Sequence, residues 1–199
     1  MSFLNILVSG VGGQGILTFT RVLSEACIKR GVNVVTAETH GMSQRGGIVH
    51  VHIRIGDIYS PLIPRGSADT IVSFELIEAI RCIEYANRET ILLISDRLIR
   101  PPIPNVKIPN KSELIEYLKS LKLKSYIVPA YEMALKAGSS LSLNIVMLGV
   151  LIGSKTLDGY VNAESVRSIL RGFRMSDINL RAFNLGYEWA VRNVNVKGY

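Results

Sequence analysis

A glycine-rich loop between an apolar run and a helical pattern limits this chain to a small set of folds. Residues 5–9 contain three consecutive aliphatic side chains and predict a short buried strand. Glycines follow, and apolar residues then recur at helical spacing over residues 16–30. A second apolar run at residues 32–37 completes a strand, loop, helix, strand unit. We expect its two strands to be parallel and adjacent.

Strand and helix patterns continue to alternate after this unit. Residues 48–55 alternate apolar side chains with His50, His52 and Arg54, which predicts a half-buried strand with a solvated or interfacial polar face. Further strands are predicted at residues 70–74, 90–95 and 126–128, and helices at residues 76–86 and 112–121, with Ser112 as the N-cap. Residues 131–194 predict three or four more helices.

This alternation predicts an α/β, Rossmann-like fold with an open, mostly parallel sheet and helices on both faces. The length of 199 residues suits one domain spanning residues 1–199. Four of the seven prolines fall within residues 101–109, so a proline-rich surface excursion is expected near residues 97–111.

Composition narrows the possible partners and locations. No apolar run approaches the roughly 18–20 residues of a membrane span, and the N-terminus has no secretory pattern, so we expect a cytoplasmic protein without a membrane partner. The net charge of +7 comes from scattered basic residues without an aromatic ladder, so no nucleic-acid partner is expected. Cys27 and Cys82 are isolated, and the four or so ligands of an iron–sulfur cluster are missing.

The glycine loop matches the dinucleotide-binding pattern, with Gly10, Gly12 and Gly15 at the fingerprint spacing between strand and helix. Such glycines let a backbone approach a phosphate at a helix N-terminus. Glu38 ends the second strand, where an acidic side chain would bind a ribose hydroxyl. One hypothesis is therefore a stand-alone protein that binds NAD(P) or FAD. The other is that the glycines only allow close packing of helix on strand. The candidate cofactor-binding residues are Gly10, Gly12, Gly13, Gln14, Gly15 and Glu38.

An ordered series of further motifs adds a resemblance to a known family. After the glycine loop come a polar stretch at residues 38–47, a proline-containing stretch at residues 60–64, and Leu143 with Asn144. Residues 179–183 and Gly186 complete the series. Together they resemble the gamma domain of pyruvate and other 2-oxoacid:ferredoxin oxidoreductases. Residues 38–47 are most similar to the beta subunit of the indolepyruvate enzymes within that family.

The resemblance implies a reaction shared between subunits. An aryl pyruvate would be oxidatively decarboxylated on thiamine diphosphate, electrons would pass through iron–sulfur clusters to ferredoxin, and the acyl group would leave on coenzyme A. A large partner subunit would hold these cofactors, so the chain is expected to be inactive alone. The sequence agrees, because Gly56 and Asp57 are not followed by the rest of a thiamine motif.

The loop at residues 38–47 holds the candidate catalytic residues. We hypothesise that His40, Gln44 and Arg45 contribute to a shared site by orienting a carboxylate or phosphate, because arginine suits bidentate anion binding. The alternative is that the loop only seals a subunit interface. No metal site is predicted: His50 and His52 share a strand face, but no further ligand joins them at a recognisable spacing.

Overall fold

The computed structural model describes residues 3–40, 47–100 and 107–195, and this part of the chain forms one six-stranded sheet flanked by seven α-helices. The strands are β1 (Phe3–Val11), β2 (Val34–His40), β3 (Ile48–Gly56), β4 (Ala68–Ser73), β5 (Ala86–Ser95) and β6 (Lys124–Val128). The helices are α1 (Ile16–Lys29), α2 (Leu76–Arg81), α3 (Lys111–Ser120), α4 (Ala130–Ala137), α5 (Leu143–Gly153), α6 (Ala163–Leu170) and α7 (Ser176–Asn193), and 3₁₀ turns lie at Cys82–Tyr85 and Ser140–Ser142.

The sheet has the order β2-β3-β1-β4-β5-β6 and is mostly parallel. Strands β1, β4, β5 and β6 pair in parallel, whereas β3 is antiparallel to both of its neighbours. The predicted Rossmann-like, open, mostly parallel sheet is therefore confirmed. The prediction that β1 and β2 are adjacent is wrong, because β3 lies between them. Strands β2 and β3 follow each other closely in the chain, and an antiparallel pair needs only a short connection.

Helices cover both faces of the sheet, as predicted. Alternate residues of β1 point to opposite sides: Ile6 and Val8 join one apolar core, and Leu7 joins the other. Helices α1 and α4–α7 cover the first face, where Phe19 and Phe74 meet edge to face with ring centroids 5.6 Å apart. The second face is covered by α2 and α3.

Two of the three polar side chains of β3 are buried, which corrects the expectation of a solvated or interfacial face. His52 and Arg54 are only 3% and 6% exposed. Arg54 donates from Nε to Asn5 Oδ1 (2.8 Å) and from Nη1 to the Ser60 carbonyl (2.9 Å). His52 Nδ1 accepts a hydrogen bond from the Ile63 amide (3.2 Å). The segment between β3 and β4 is thus folded back over β3, and hydrogen bonds compensate the burial of these polar groups.

Most predicted helices are present, with shifted ends. Helix α3 begins one residue earlier than predicted, and its N-cap is Asn110 rather than Ser112, because Asn110 and Glu113 form a reciprocal capping box. Helix α2 ends at Arg81, and a 3₁₀ turn leads directly into β5. The last third of the chain contains α4–α7, in line with the three or four helices expected. None of the helices in the described ranges has the length and apolar character needed to cross a membrane.

Candidate functional site

A surface pocket lies at the carboxyl ends of β1 and β5, and its lining also includes the starts of α1, α4 and α5. The carboxyl ends of parallel strands are where open α/β sheets bind ligands. The pocket has a volume of about 380 Å³. Its lining includes the glycine loop, the start of α5, and Arg97 and Ile99 after β5.

The side chain of Gln14 holds the glycine loop in place. Its Oε1 accepts a hydrogen bond from the Val11 amide (2.7 Å), and its Nε2 donates to the Phe74 carbonyl (2.9 Å). The two bonds connect the end of β1 to the end of β4. A Cβ on Gly10 would lie 2.7 Å from Gln14 Oε1 and 3.1 Å from the Phe74 Cβ. Glycine at position 10 is therefore required by packing inside the protein.

Gly15 is also explained by an internal contact. It caps α1 in the left-handed region (φ 78°), and a Cβ at this position would lie 2.5 Å from Asn144 Nδ2. That nitrogen donates a hydrogen bond to the Gly15 carbonyl (3.1 Å). Asn144 is 6% exposed and lies in the apolar helix α5. The contact therefore connects the start of α1 to the start of α5.

Gly13 differs from these two glycines. Its φ of 100° favours glycine, but a Cβ would meet nothing within 4 Å, and the residue lines the pocket. Gly12 donates its amide to the Gly47 carbonyl (2.9 Å). Of the six candidate cofactor residues, Gly13, Gln14 and Gly15 line the pocket, whereas Gly10 and Gly12 contact other parts of the chain.

The pocket presents a cation and a helix N-terminus. The Arg97 guanidinium lies over the Tyr131 ring, 4.3 Å from its centroid, and both residues line the pocket. The N-cap of α1, Gly15, has no side chain to cap the helix, and backbone amides and the helix dipole favour an anion there. This arrangement suits a negatively charged group.

Glu75, at the end of β4, has a structural role. One carboxylate oxygen caps α2 by accepting from the Glu78 amide (2.9 Å), and the other accepts from the Ile99 amide (3.0 Å). Burial raises the pKa of this carboxyl group above its usual value. Because both oxygens are bonded to backbone amides, Glu75 positions the segment that carries Arg97 and is not placed to act as a general base.

The topology separates Glu38 from the glycine loop. Glu38 lies on β2 opposite Val51 of β3, so β3 stands between it and β1. Neighbouring strands are about 4.8 Å apart, which places Glu38 about 10 Å from β1 across the sheet. In a dinucleotide-binding fold the acidic residue ends the strand adjacent to β1. The alternative of a stand-alone NAD(P) or FAD protein is therefore not favoured.

Of the three candidate catalytic residues, only His40 lies within the described residues. His40 is the last residue of β2 and is paired with Val49 of β3. Gln44 and Arg45 lie outside the described residues, so their role in a shared site stays a prediction.

A cluster of three polar side chains was not anticipated from the sequence. His50 Nε2 lies 3.4 Å from Cys82 Sγ and 3.9 Å from Glu78 Oε2. These hydrogen-bonding partners raise the pKa of His50 to about 9. Burial, followed by the charge of His50, lowers the pKa of His52. Because 32 residues separate His50 and Cys82, no local spacing in the sequence signals their contact. Within the described ranges, no three His, Cys, Asp or Glu side chains are arranged to hold a metal.

Comparison with known proteins identifies the family. The family model for pyruvate ferredoxin/flavodoxin oxidoreductase matches residues 5–189. The chain belongs to this family. It is 42% identical to the indolepyruvate oxidoreductase subunit IorB of Archaeoglobus fulgidus, over 94% of this chain and 96% of that protein. The IorB subunit of Methanothermobacter thermautotrophicus is 40% identical over 92% of this chain and 95% of its own length. The 2-oxoglutarate synthase subunit KorC of Archaeoglobus fulgidus is 26% identical over 94% of this chain and 88% of that protein.

Solved structures confirm the fold. The gamma subunit of a keto/oxoacid ferredoxin oxidoreductase from Geobacter sulfurreducens superposes with a TM-score of 0.70 at 21% identity, covering 95% of this chain and 99% of that one. A 2-oxoglutarate:ferredoxin oxidoreductase from Magnetococcus marinus gives a TM-score of 0.75 at 20% identity, over 100% of this chain and 33% of that one. The matching family is an oxidoreductase family, and the two IorB relatives are named as oxidoreductase subunits, so the predicted family and the predicted status as an oxidoreductase subunit are both confirmed.

Proposed function

We propose that this chain is the small subunit of a thiamine-diphosphate-dependent, ferredoxin-linked oxidoreductase that converts an aryl pyruvate, such as indolepyruvate, to an acyl-CoA. The observation that supports this most directly is the near full-length similarity to relatives named for indolepyruvate, at 42% and 40% identity. The relative named for 2-oxoglutarate is only 26% identical over a similar length. That contrast favours an aromatic over a dicarboxylic oxoacid.

The cysteines of this chain do not fit a redox cluster. The sequence has two cysteines, and a cluster takes about four thiolates. Cys27 is buried in α1 and Cys82 in the 3₁₀ turn before β5, each among apolar side chains of a different core. We therefore propose that a large partner subunit holds the iron–sulfur clusters, thiamine diphosphate and coenzyme A, and that ferredoxin accepts the electrons. The cytoplasmic location expected from the sequence is part of the same proposal.

The contribution of this chain would come from the edge where the strands end. His40 is the last residue of β2. We propose that His40, Gln44 and Arg45 orient a carboxylate or phosphate in a site shared with the partner subunit. The nearby glycine loop and Arg97 offer a second place for a negatively charged group. Replacing Arg45 with Ala in the assembled enzyme is expected to lower turnover while assembly is retained. Unchanged turnover would leave the loop with an interface role only.

The proposed function is tested by purifying the tagged chain from its native cell and assaying coenzyme-A-dependent dye reduction. Indolepyruvate, phenylpyruvate and pyruvate serve as alternative substrates. The expected result is co-purification of a larger, iron-containing protein and activity that is highest with an aryl pyruvate. Activity that is highest with pyruvate would overturn the substrate assignment. An eluate without partner, iron or activity would overturn the subunit assignment.

A further inference from the structure

The cluster of His50, Cys82 and Glu78 lies between β3 and α2, apart from the pocket at the glycine loop. Cys82 is fully buried, and the side chain of Glu78 is 7% exposed. The His50 side chain is 19% exposed, so solvent approaches the cluster from the imidazole. The sulfur is thus sheltered but has a polar neighbour that connects it to the surface.

Both partners of His50 approach the same ring nitrogen, Nε2. This differs from a nucleophile–base–orienter relay, in which the base uses one nitrogen for the nucleophile and the other for the orienting group. A protonated Nε2 between a sulfur and a carboxylate instead supplies positive charge to both. Glu78 Oε2 has no hydrogen-bond partner among the described residues although it is buried, and His50 Nε2 lies 3.9 Å from it. The other oxygen, Oε1, lies 3.5 Å from Arg81 Nε.

Cys27 provides a contrast within the same chain. It is also fully buried, but it lies in α1 among apolar side chains of the other core. Burial raises the pKa of its thiol to about 12. A cysteine in such surroundings stays protonated and unreactive, whereas a neighbouring imidazolium favours the nucleophilic thiolate.

We propose that Cys82 is a reactive thiol of this chain, oxidised by peroxides with His50 as the proton donor. The Cys82 sulfur, as thiolate, attacks one oxygen of the peroxide and forms an S–O bond while the O–O bond breaks. The leaving hydroxide takes the proton from His50 Nε2, which gives water and a neutral imidazole. Sulfur loses two electrons and the peroxide gains them, so the product is a sulfenic acid at Cys82.

An oxidant reaches the fully buried Cys82 only when the chain around it opens locally. Cys82 begins a 3₁₀ turn between α2, a helix of six residues, and β5. Few hydrogen bonds hold a helix this short, and in our proposal a local opening of α2 admits the peroxide to the sulfur. Oxidation would add an oxygen to a sulfur that is fully packed and remove the proton from His50. Both changes weaken the contact between α2 and β3.

The test exposes the protein, purified with its associated subunits, to dilute hydrogen peroxide and traps sulfenic acid with dimedone. Peptide mass spectrometry then compares labelling at Cys82 and Cys27. We expect Cys82 to be labelled about tenfold faster than Cys27 in the folded protein, and both at similar rates in denaturant. Similar rates in the folded protein, or no label at Cys82, would overturn the proposal.

Two substitutions separate chemistry from simple exposure. His50→Gln keeps a polar side chain of similar reach but removes the transferable proton, and it should abolish most of the preference for Cys82. The conservative Asp158→Asn, at an exposed turn away from the cluster, is the matched control and should keep the preference. If the His50→Gln protein labels Cys82 as fast as the parent chain, His50 is not the proton donor and the proposal fails. Urea unfolding shows whether each variant is folded. If a variant does not fold, the comparison of Cys82 with Cys27 in the parent chain still decides the proposal.

Discussion

At the scale of single residues, Gln14 explains why a dinucleotide-like loop forms without needing a ligand. Replacing it with the near-isosteric Glu keeps an acceptor for the Val11 amide but places a carboxylate oxygen against the Phe74 carbonyl. We expect Gln14→Glu to lower the free energy of unfolding by about 1–3 kcal/mol, since a polar contact becomes repulsive in a partly buried site. Urea unfolding at pH 7 measures the change. The control is Glu116→Gln on the exposed face of α3. An equal loss of stability in both variants would contradict the role of Gln14 in holding the loop.

His50 makes stability depend on pH in a defined direction. Its pKa rises from 6.5 to about 9 on folding, chiefly through the hydrogen bond with Cys82. The folded state therefore binds the proton more tightly, and the stabilisation is complete below pH 6.5 and is lost as the pH rises towards 9. The loss amounts to up to about 3 kcal/mol at 1.36 kcal/mol per pKa unit. Urea unfolding of the parent chain and of His50→Gln at pH 6 and pH 9 measures it. If the free energy of unfolding changes equally between pH 6 and pH 9 in the two proteins, His50 does not contribute to the pH dependence of stability.

At the scale of elements, two polar residues near the start of α3 have different roles: Asn110 caps the helix, and Ser112 lies inside it. The side chain of Asn110 accepts from the Glu113 amide (3.0 Å), and Glu113 Oε2 accepts from the Asn110 amide (2.9 Å). Asn110→Ala should therefore cost about 1 kcal/mol, the usual value for a lost N-cap. Ser112→Ala, inside the helix, should be neutral or slightly stabilising because alanine favours helix. Thermal unfolding compares the two variants, and the reverse order would support Ser112 as the cap.

The crossing of α5 and α7 depends on glycine. A Cβ on Gly186 would lie 2.0 Å from the Val146 carbonyl oxygen, and a Cβ on Gly149 would lie 2.1 Å from the Phe183 oxygen. Since both neighbours are backbone atoms, the helices must separate to admit a methyl group. We expect Gly186→Ala to lower stability by about 3 kcal/mol or more, at the upper end of overpacking effects. Gly172→Ala is the matched control, because its Cβ would meet only the Ile169 oxygen at 3.3 Å. Similar denaturation midpoints for the two variants would contradict this account.

At the scale of the whole molecule, local patterns predicted most elements but not their pairing. Apolar runs predicted the strands, and their alternation with helices predicted the mostly parallel sheet. The insertion of β3 between β1 and β2 depends on contacts between distant residues, and no local pattern distinguishes a parallel β1–β2 pair from an antiparallel β2–β3 pair. The side chains of His52 and Arg54 suggested an exposed strand face, but both are buried. The segment between β3 and β4 covers them, and the sequence of β3 alone does not predict that contact.

The place of the glycine loop in the fold could be predicted from local patterns, whereas its internal contacts could not. The loop follows the first strand, and part of it lines a pocket at the strand ends. The internal roles of Gln14 and Asn144 could not be foreseen, because their partners Phe74 and Gly15 are respectively 60 and 129 residues away. The cluster around His50 could not be foreseen for the same reason. Helix α2 and the 3₁₀ turn after it bring Glu78 and Cys82 to β3 only in the folded chain.

The strand order leads to a final prediction about nucleotides. A nicotinamide dinucleotide needs both a glycine loop and an acidic side chain on the adjacent strand, and here β3 displaces Glu38 by one strand spacing of about 4.8 Å. The isolated chain should therefore show no saturable change in NADH fluorescence at micromolar concentrations, and no flavin should co-purify with it. A dehydrogenase with the adjacent-strand arrangement, titrated in the same buffer, is the positive control. Stoichiometric NADH binding would mean that the loop recognises the pyrophosphate without Glu38, and the pocket near Arg97 would then be its most direct second anchor.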